Sequence, residues 1–343
     1  MKCSKIHQLS SVCVLPEHNV FAVPQTQQSV ESFSYTEHRP LAPLKSSSQI
    51  QIPFTTSPDE YVNFKDLLFC LKVRVHLTTK RGEGIKESDW KTVFPENNFL
   101  HTCFKQVQLE INGKPLFTSS DTYPYRAFLE TKLGFTEDAK NSFLTAAGWE
   151  NDEEARHDIF SPVDQIGKSS GIGKIVEYVG RLHTDLTFQG RAMIGNLSYK
   201  FTLTPNSGDF YLRQNSSEVS GRLEFLEASI LVPRSKVSHK IMNAHAAALK
   251  LGPAKYPITR TEVRSFTLSG GIRSTNIDNV VYGQLPRRMI VFMTSNDAYN
   301  GSKKLNPFEF KHYDLKHLVA FVDGQMYPPQ PLTPDFSGRV YTK

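Results

Sequence analysis

The chain predicts an all-β fold of two tandem antiparallel β-sandwiches, or jelly rolls, with short helices in the loops. Three observations carry this. Long runs alternate apolar and polar side chains, the period-2 pattern of half-buried strands. Aromatics make up 11% of 343 residues, with 23 Phe and 13 Tyr, types that suit pleated surfaces. The strand-like runs fall into two similar halves divided near residue 215, with few helix signals between them. The expected division is an extended N-terminal arm over 1–44, a first jelly roll over 45–215 and a second over 216–343.

The arm is punctuated by Pro16, Pro24, Pro40 and Pro43 and carries a few apolar anchors, Val20, Phe21 and Val23. Strands begin near Gln49 with QIQIPF. The clearest follows: Phe69, Leu71, Val73, Val75 and Leu77 alternate with Cys70, Lys72, Arg74 and His76. After a polar loop from Lys80 to Lys91, Val107, Leu109 and Ile111 alternate with Gln106, Gln108 and Glu110. Asn112-Gly113 then marks a hairpin turn, since both residues tolerate positive φ. Beyond the Ser119–Thr122 cluster, Pro124 suits a helix's first turn, with Tyr125, Phe128, Leu129 and Leu133 on one face. Gly134 is placed to end that helix in a left-handed conformation.

From Thr136 to Gly180 the pattern weakens and reads as an insertion, with an acidic solvated run (Asn151–Asp158) and a flexible loop, GKSSGIGK (Gly167–Lys174). Strands are predicted again at Leu182–Phe188 and Leu197–Leu203, and Thr204–Gly221 reads as a boundary. In the second half a strand through Leu226, Ala228, Ile230 and Val232 ends at Pro233. Ser238 caps a helix through Ile241, Ala244, Ala248 and Leu249 that stops at Gly252-Pro253. Thr261–Leu268, Met289–Thr294 (buried on both faces) and Leu318–Val322 are further strands, and Asp323-Gly324 is a second hairpin turn.

Charge and motifs narrow the function. Forty basic against 34 acidic side chains give +6, without the dense Lys/Arg run of a nucleic-acid arm. Cys3, Cys13, Cys70 and Cys103 form no CxxC and no metal spacing, which fits a reducing compartment; Cys70 and Cys103 read as small buried hydrophobes. No run is long and apolar enough for a membrane helix, and the polar N-terminus does not read as a signal peptide. The sequons at Asn196, Asn215 and Asn300 are therefore expected to be bare. GKSSGIGK fails as a phosphate loop, because Lys168 stands where the first glycine belongs and Ile175 where the hydroxyl belongs. It also fails as a dinucleotide fingerprint, with Val176 in place of the third glycine.

His239 and His245 are six apart on a helix and His312 and His317 five apart, poor spacings for a shared metal. They read as structural or surface histidines, and Arg287-Arg288 and Lys303-Lys304 as solvated surface. No catalytic, cofactor-binding or metal-ligating residue is assigned, no cofactor is expected, and the chain reads as a non-enzyme.

Taken in order, the motifs resemble the major capsid proteins of Polinton (Maverick) elements and adintoviruses, and the uncharacterised invertebrate proteins derived from them. The runs are VFAVPQTQQSVESFSYTEHRPL (Val20–Leu41), DEYVNFKDLLFCLKVRV (Asp59–Val75), NNFLHTCFKQVQLEINGK (Asn97–Lys114) and YPYRAFLETKLGF (Tyr123–Phe135). Later come GRLHTDLTFQGRAMIGNLSYKFTL (Gly180–Leu203), AKYPITRTEVRSF (Ala254–Phe266), the stretch Gly283–Leu315 and FVDGQMYPPQPLTPDF (Phe321–Phe336).

The resemblance implies a hexon-like double jelly-roll subunit, three of which build a pseudo-hexameric capsomer. Neighbouring capsomers, joined by a minor capsid (penton) protein, would tile an icosahedral shell around double-stranded DNA without reading its sequence. The expected location is the virion, assembled inside the host cell in cytoplasm or nucleus and not secreted. Similar proteins continue past PLTPDF, so a second jelly roll truncated at its C-terminus is expected where this sequence stops at Lys343. The alternative is a domesticated or truncated remnant acting as a non-enzymatic β-sandwich module that binds glycan or protein; a jelly-roll enzyme of the cupin type stands third.

Overall fold

The computed structural model describes residues 20, 21, 23, 27–44, 48–80, 82, 84–118 and 121–336. Cys3, Cys13, Pro16, Pro24, Ser119, Ser120 and Tyr341–Lys343 lie outside them.

Eight strands form the main paths of two facing sheets, one of which gains the short strand Glu60–Val62 as a fifth member. They are β1 (Val30–His38), β2 (Ile50–Thr55), β3 (Leu68–Thr79), β4 (Phe104–Ile111), β5 (Lys114–Thr118), β6 (Ile172–Gly180), β7 (Ser198–Pro205) and β8 (Val219–Val237). One sheet runs β1-β8-β3-β6 and the other β2-β7-β4-β5, with every pair antiparallel. First strand beside last, second beside seventh, is the winding of a jelly roll. The all-β class therefore holds, with the helices short and confined to connections.

The core is read directly from the alternation. Phe69, Leu71, Val73 and Val75 of β3 are wholly buried and share one apolar cluster with Ile52, Leu109 and Phe201 of the facing sheet. Each such side chain contributes about 1.5–3 kcal/mol by leaving water. Phe54 stacks on Tyr199 at 4.9 Å across the β2–β7 pair. The polar partners on β3 face out, where Lys72 pairs with Glu227 at 2.9 Å and His76 with Glu224 at 2.8 Å. Both expected hairpin turns form: Asn112 and Gly113 have φ of 50° and 74°, and Asp323 and Gly324 have 49° and 78°.

Several expectations change. The arm is not all arm, because residues 30–38 are the jelly roll's edge strand. The division at 215/216 falls inside the fold: β8 follows it, yet its 19 residues pair with β1, β3 and the short strand Glu60–Val62. Thr204–Gly221 is likewise no boundary, since Phe210, Tyr211 and Leu212 are buried in it. Pro233 does not end β8. It stands between the last pair with β3 (Leu231–Leu68) and the first with Glu60–Val62 (Arg234–Val62), where a missing N–H costs no ladder bond on that side.

The expected insertion at Thr136–Gly180 contains β6, hidden from a pattern search because both sides of this edge strand are partly exposed. GKSSGIGK is no flexible loop but the end of a helical turn (Gln165–Ser170) running into β6. Leu182–Phe188 is not a strand but a passage with a 3-10 turn at Asp185–Phe188.

The helix expected at Pro124 is α1 (Tyr123–Gly134), but its buried side differs from the apolar stripe. Tyr123, Arg126 and Thr131 are buried and Leu133 is exposed, while Gly134 remains helical and Phe135 ends the helix in extended conformation. Cys103 is buried as expected, at the end of the short helix Phe99–Thr102 rather than in a strand, and Cys70 is half-buried on β3. Helix α2 (His239–Leu251) forms after Ser238 as expected and buries none of its residues.

Beyond α2 the described chain holds one short helix (Asn296–Asn300) and the two-stranded ribbon of β9 (Leu318–Val322) and β10 (Gln325–Leu332). Thr261–Leu268 and Met289–Thr294 are not strands. Met289, Ile290 and Val291 are half exposed rather than buried on both faces, because no strand among the described residues pairs with them.

Candidate functional site

The most concentrated chemistry lies where α1 meets the 181–190 passage and the chain beyond residue 255. Arg126 donates to Asp185 Oδ1 (2.8 Å) and to Glu130 Oε1 (3.0 Å), and His183 Nδ1 lies 2.7 Å from Glu130 Oε2. Tyr123 OH accepts the His183 backbone N–H (3.2 Å) and lies 3.0 Å from His101 Nδ1. Arg126, Asp185, His101 and His183 are all buried.

Burial and the neighbouring His183 push His101 well below the usual imidazole range, so it stays neutral beside the Tyr123 hydroxyl. Burial would raise the Glu130 carboxyl, but the hydrogen bond and charge of His183, with Arg126, outweigh it and hold Glu130 below its usual range. Burial raises the Tyr123 phenol, so it remains protonated.

This network fastens two parts of the chain together. Arg126 Nη1 donates to the Thr261 carbonyl (3.3 Å), the Thr261 N–H to Asp185 Oδ1 (3.4 Å) and Thr122 Oγ1 to the Val263 carbonyl (3.3 Å). An aromatic cluster extends the joint. Tyr125 and Phe128 of α1 meet Phe210, Phe292, Phe308 and Phe310, and Phe128 stacks on Phe308 at 4.3 Å. A second buried set lies nearby: Glu96, fully buried, accepts from Arg156 (3.1 Å), and Phe94 packs against His157 and Arg213. All polar members of the first network are held by protein partners, and its chemistry is that of a clamp.

Sequence reasoning missed both sets. Arg126 and Asp185 are 59 positions apart and sit in no recognisable motif. The only local hint was the i,i+4 spacing of Arg126 and Glu130. The run Asn151–Asp158 is only partly solvated, since its Arg156 is buried against Glu96.

The motifs set aside on sequence grounds have structural explanations. At Gly171 (φ +73°) an added Cβ would lie 2.4 Å from the Leu77 carbonyl, and at Gly173 2.8 Å from those of Phe160 and Val75. These glycines admit close backbone packing beside β3. Lys168 pairs with Glu87, and its carbonyl accepts the Trp90 indole N–H at 3.1 Å. His245 Nδ1 meets Tyr61 OH at 2.8 Å, and His312 stacks on Phe336 at 4.1 Å. Lys303 lies 3.6 Å from Asp209, whereas Arg287 and Arg288 are exposed. Among the described residues no three His, Cys, Asp or Glu side chains converge as a metal site, and no helix is long and apolar enough to cross a membrane.

Fold and site together define an all-β jelly-roll protein whose polar core groups join segments of the chain. No family model matches it. It is 26% identical over 333 residues to the uncharacterized protein F54H12.2 of Caenorhabditis elegans, across 94% of this chain and 77% of that protein. Among solved structures it is similar to a chain of the Sputnik virophage cryo-EM structure (11% identity, TM-score 0.48, 70% of this chain). It is also similar to the Faustovirus major capsid protein (8%, 0.44, 67% of this chain) and the mavirus major capsid protein (11%, 0.40, 69%). The chain spans 55%, 58% and 55% of the lengths of these three.

Proposed function

We propose that this chain is a structural subunit of a protein shell, of the kind formed by the major capsid proteins of Polinton elements and adintoviruses. The observation that carries the reading is where the resembling motifs fall in the fold. Val20–Leu41 contains β1, Asp59–Val75 enters β3, Asn97–Lys114 contains β4 and its turn, Tyr123–Phe135 is α1, and Gly180–Leu203 enters β7. These five runs follow the strands and clamp of the jelly roll, while Ala254–Phe266 and Gly283–Leu315 lie in the chain beyond α2 and Phe321–Phe336 takes in the β9–β10 turn.

In this reading the copies associate as trimers with a pseudo-hexagonal outline, pack against neighbouring trimers and a penton protein, and enclose double-stranded DNA within a virion. Such head-to-tail contacts close into a ring only if the rotation between copies is right.

Light scattering of the purified chain, with electron microscopy of the same peak, tests it. The expected result is a discrete particle about three times the 38.8 kDa subunit with a hexagonal outline. A particle of any other order, or a monomer at every concentration, overturns the capsomer reading and leaves the glycan- or protein-binding β-sandwich.

A further inference from the structure

Residues 253–294 combine three features that rarely coexist in a finished surface. They form no helix or strand, and among the described residues their backbone makes one backbone-to-backbone hydrogen bond, from Lys311 N to Met293 O. They also expose large apolar side chains, including Ile258 (42%), Phe266 (45%) and Leu268 (44%). Yet the stretch is no loose tail: Thr261 and Val263 are clamped by Arg126, Asp185 and Thr122. Backbone groups demand partners and β-prone apolar side chains demand cover, and one added strand supplies both.

The charge says what kind of strand. Between residues 240 and 288, Lys and Arg outnumber Asp and Glu by eight to two, a surplus equal to the whole chain's +6. Burial alternates here, with Thr261 and Val263 turned inward and Glu262 and Arg264 outward. From Arg264 to Gly270 every residue is exposed, and a strand that continues the alternation sets Glu262, Arg264, Phe266 and Leu268 on one face.

A matching row stands on β1. This strand ends its sheet, pairing with β8 on one side and with no strand on the other among the described residues. Its outward row is Phe33 (54% exposed), Tyr35 (49%) and Glu37, followed by Arg39. Glu37 and Arg39 pair with each other, as do Glu262 and Arg264 (3.0 Å). No hydrogen bond or ion pair joins the two rows within one chain among the described residues.

We infer that the 262–268 segment of one copy adds as an antiparallel strand to the open edge of β1 in a second copy. In the register that places Arg264 opposite Glu37, Glu262 falls opposite Arg39, Phe266 opposite Tyr35 and Leu268 opposite Phe33. Both short ion pairs become cross-strand pairs, and the four apolar side chains cover one another. The occupant is a second copy of this chain because both halves of the match lie on it. The inference rests on the self-association proposed above but not on shell geometry.

The test is sedimentation velocity across a dilution series, on the full chain and on Glu37→Arg, Arg264→Glu and the double variant. The expected result is association that each single reversal weakens at least tenfold and the double variant restores. Hydrogen exchange should show amides of 256–268 protected in the associated protein and open on dilution. Association unaffected by the single reversals, or a double variant no better than the singles, overturns the inference while leaving capsomers intact. Charge-controlled pairing without hexagonal particles upholds it while sinking the shell reading. Amides of 256–268 already protected in the monomer also overturn it.

Discussion

Arg126 Nη2 donates to Asp185 Oδ1 across 2.8 Å with both side chains nearly sealed from water, 3% and 6% exposed. The pair is the midpoint of a chain of polar contacts from His101 to Thr261. A buried ion pair is costly to form but costlier to break, since a lone partner keeps its charge without its counter-charge.

Arg126→Met should therefore destabilise the protein by about 3–5 kcal/mol, by leaving Asp185 without its counter-charge in the interior while Glu130 keeps only His183. Urea denaturation measures the loss. Hydrogen exchange in the same variant should show earliest opening at 261–263, the residues the guanidinium ties down. A loss under about 1 kcal/mol would mean that water reaches Asp185 and that the clamp is not sealed.

Acid should loosen the fold through two histidines. Burial lowers His101, with His183 adding to it, and burial lowers His38, with Arg234 adding to it. For a base whose folded value is depressed, the unfolded chain takes up the proton first. Stability is then full above the unfolded value of about 6.5 and falls as pH drops below it. His38 lies 3.1 Å from Arg234 Nη2, and Arg234 also holds Thr36, Glu60 and the Thr55 carbonyl, so β1 should be the first strand to lose protection. Exchange at pH 7.5 and 5.5 checks this. His38→Gln should remove the pH dependence at β1 and leave that of His101, whereas equal loosening in both proteins would refute the assignment.

Gly171 separates a packing role from a phosphate-binding one. Gly171→Ala places a methyl 2.4 Å from the Leu77 carbonyl at a φ of +73°, and the resulting strain should cost roughly 1–3 kcal/mol by thermal denaturation. ATP or inorganic phosphate should shift the midpoint of neither protein. Stabilisation of the natural chain by phosphate, lost in the variant, would restore the loop as an anion site.

The strands that could be read in advance share one property: a single wet face. β3 and β4 alternate because one side meets the core and the other meets water or an ion pair, and Asn112-Gly113 follows from the positive φ its turn requires. β6 escaped notice because an edge strand over a packed helical turn is half exposed on both sides. Met289–Thr294 misled in the opposite direction, as an apolar run signals burial only where other strands arrive to cover it. The clamp was invisible because His101, Arg126, Asp185 and Thr261 converge from four separate segments.

The amino-acid order alone determined the all-β character, the inner face of β3, both hairpin turns and the bounds of α2, since each depends on neighbours within a few positions. Tertiary structure decided that β8 closes the first jelly roll instead of opening a second, that Arg126 is buried, and that Ile258, Phe266 and Leu268 lie exposed. Those outcomes depend on which distant strand offers its edge, and on whether a buried charge finds its opposite. Local periodicity carries no record of either.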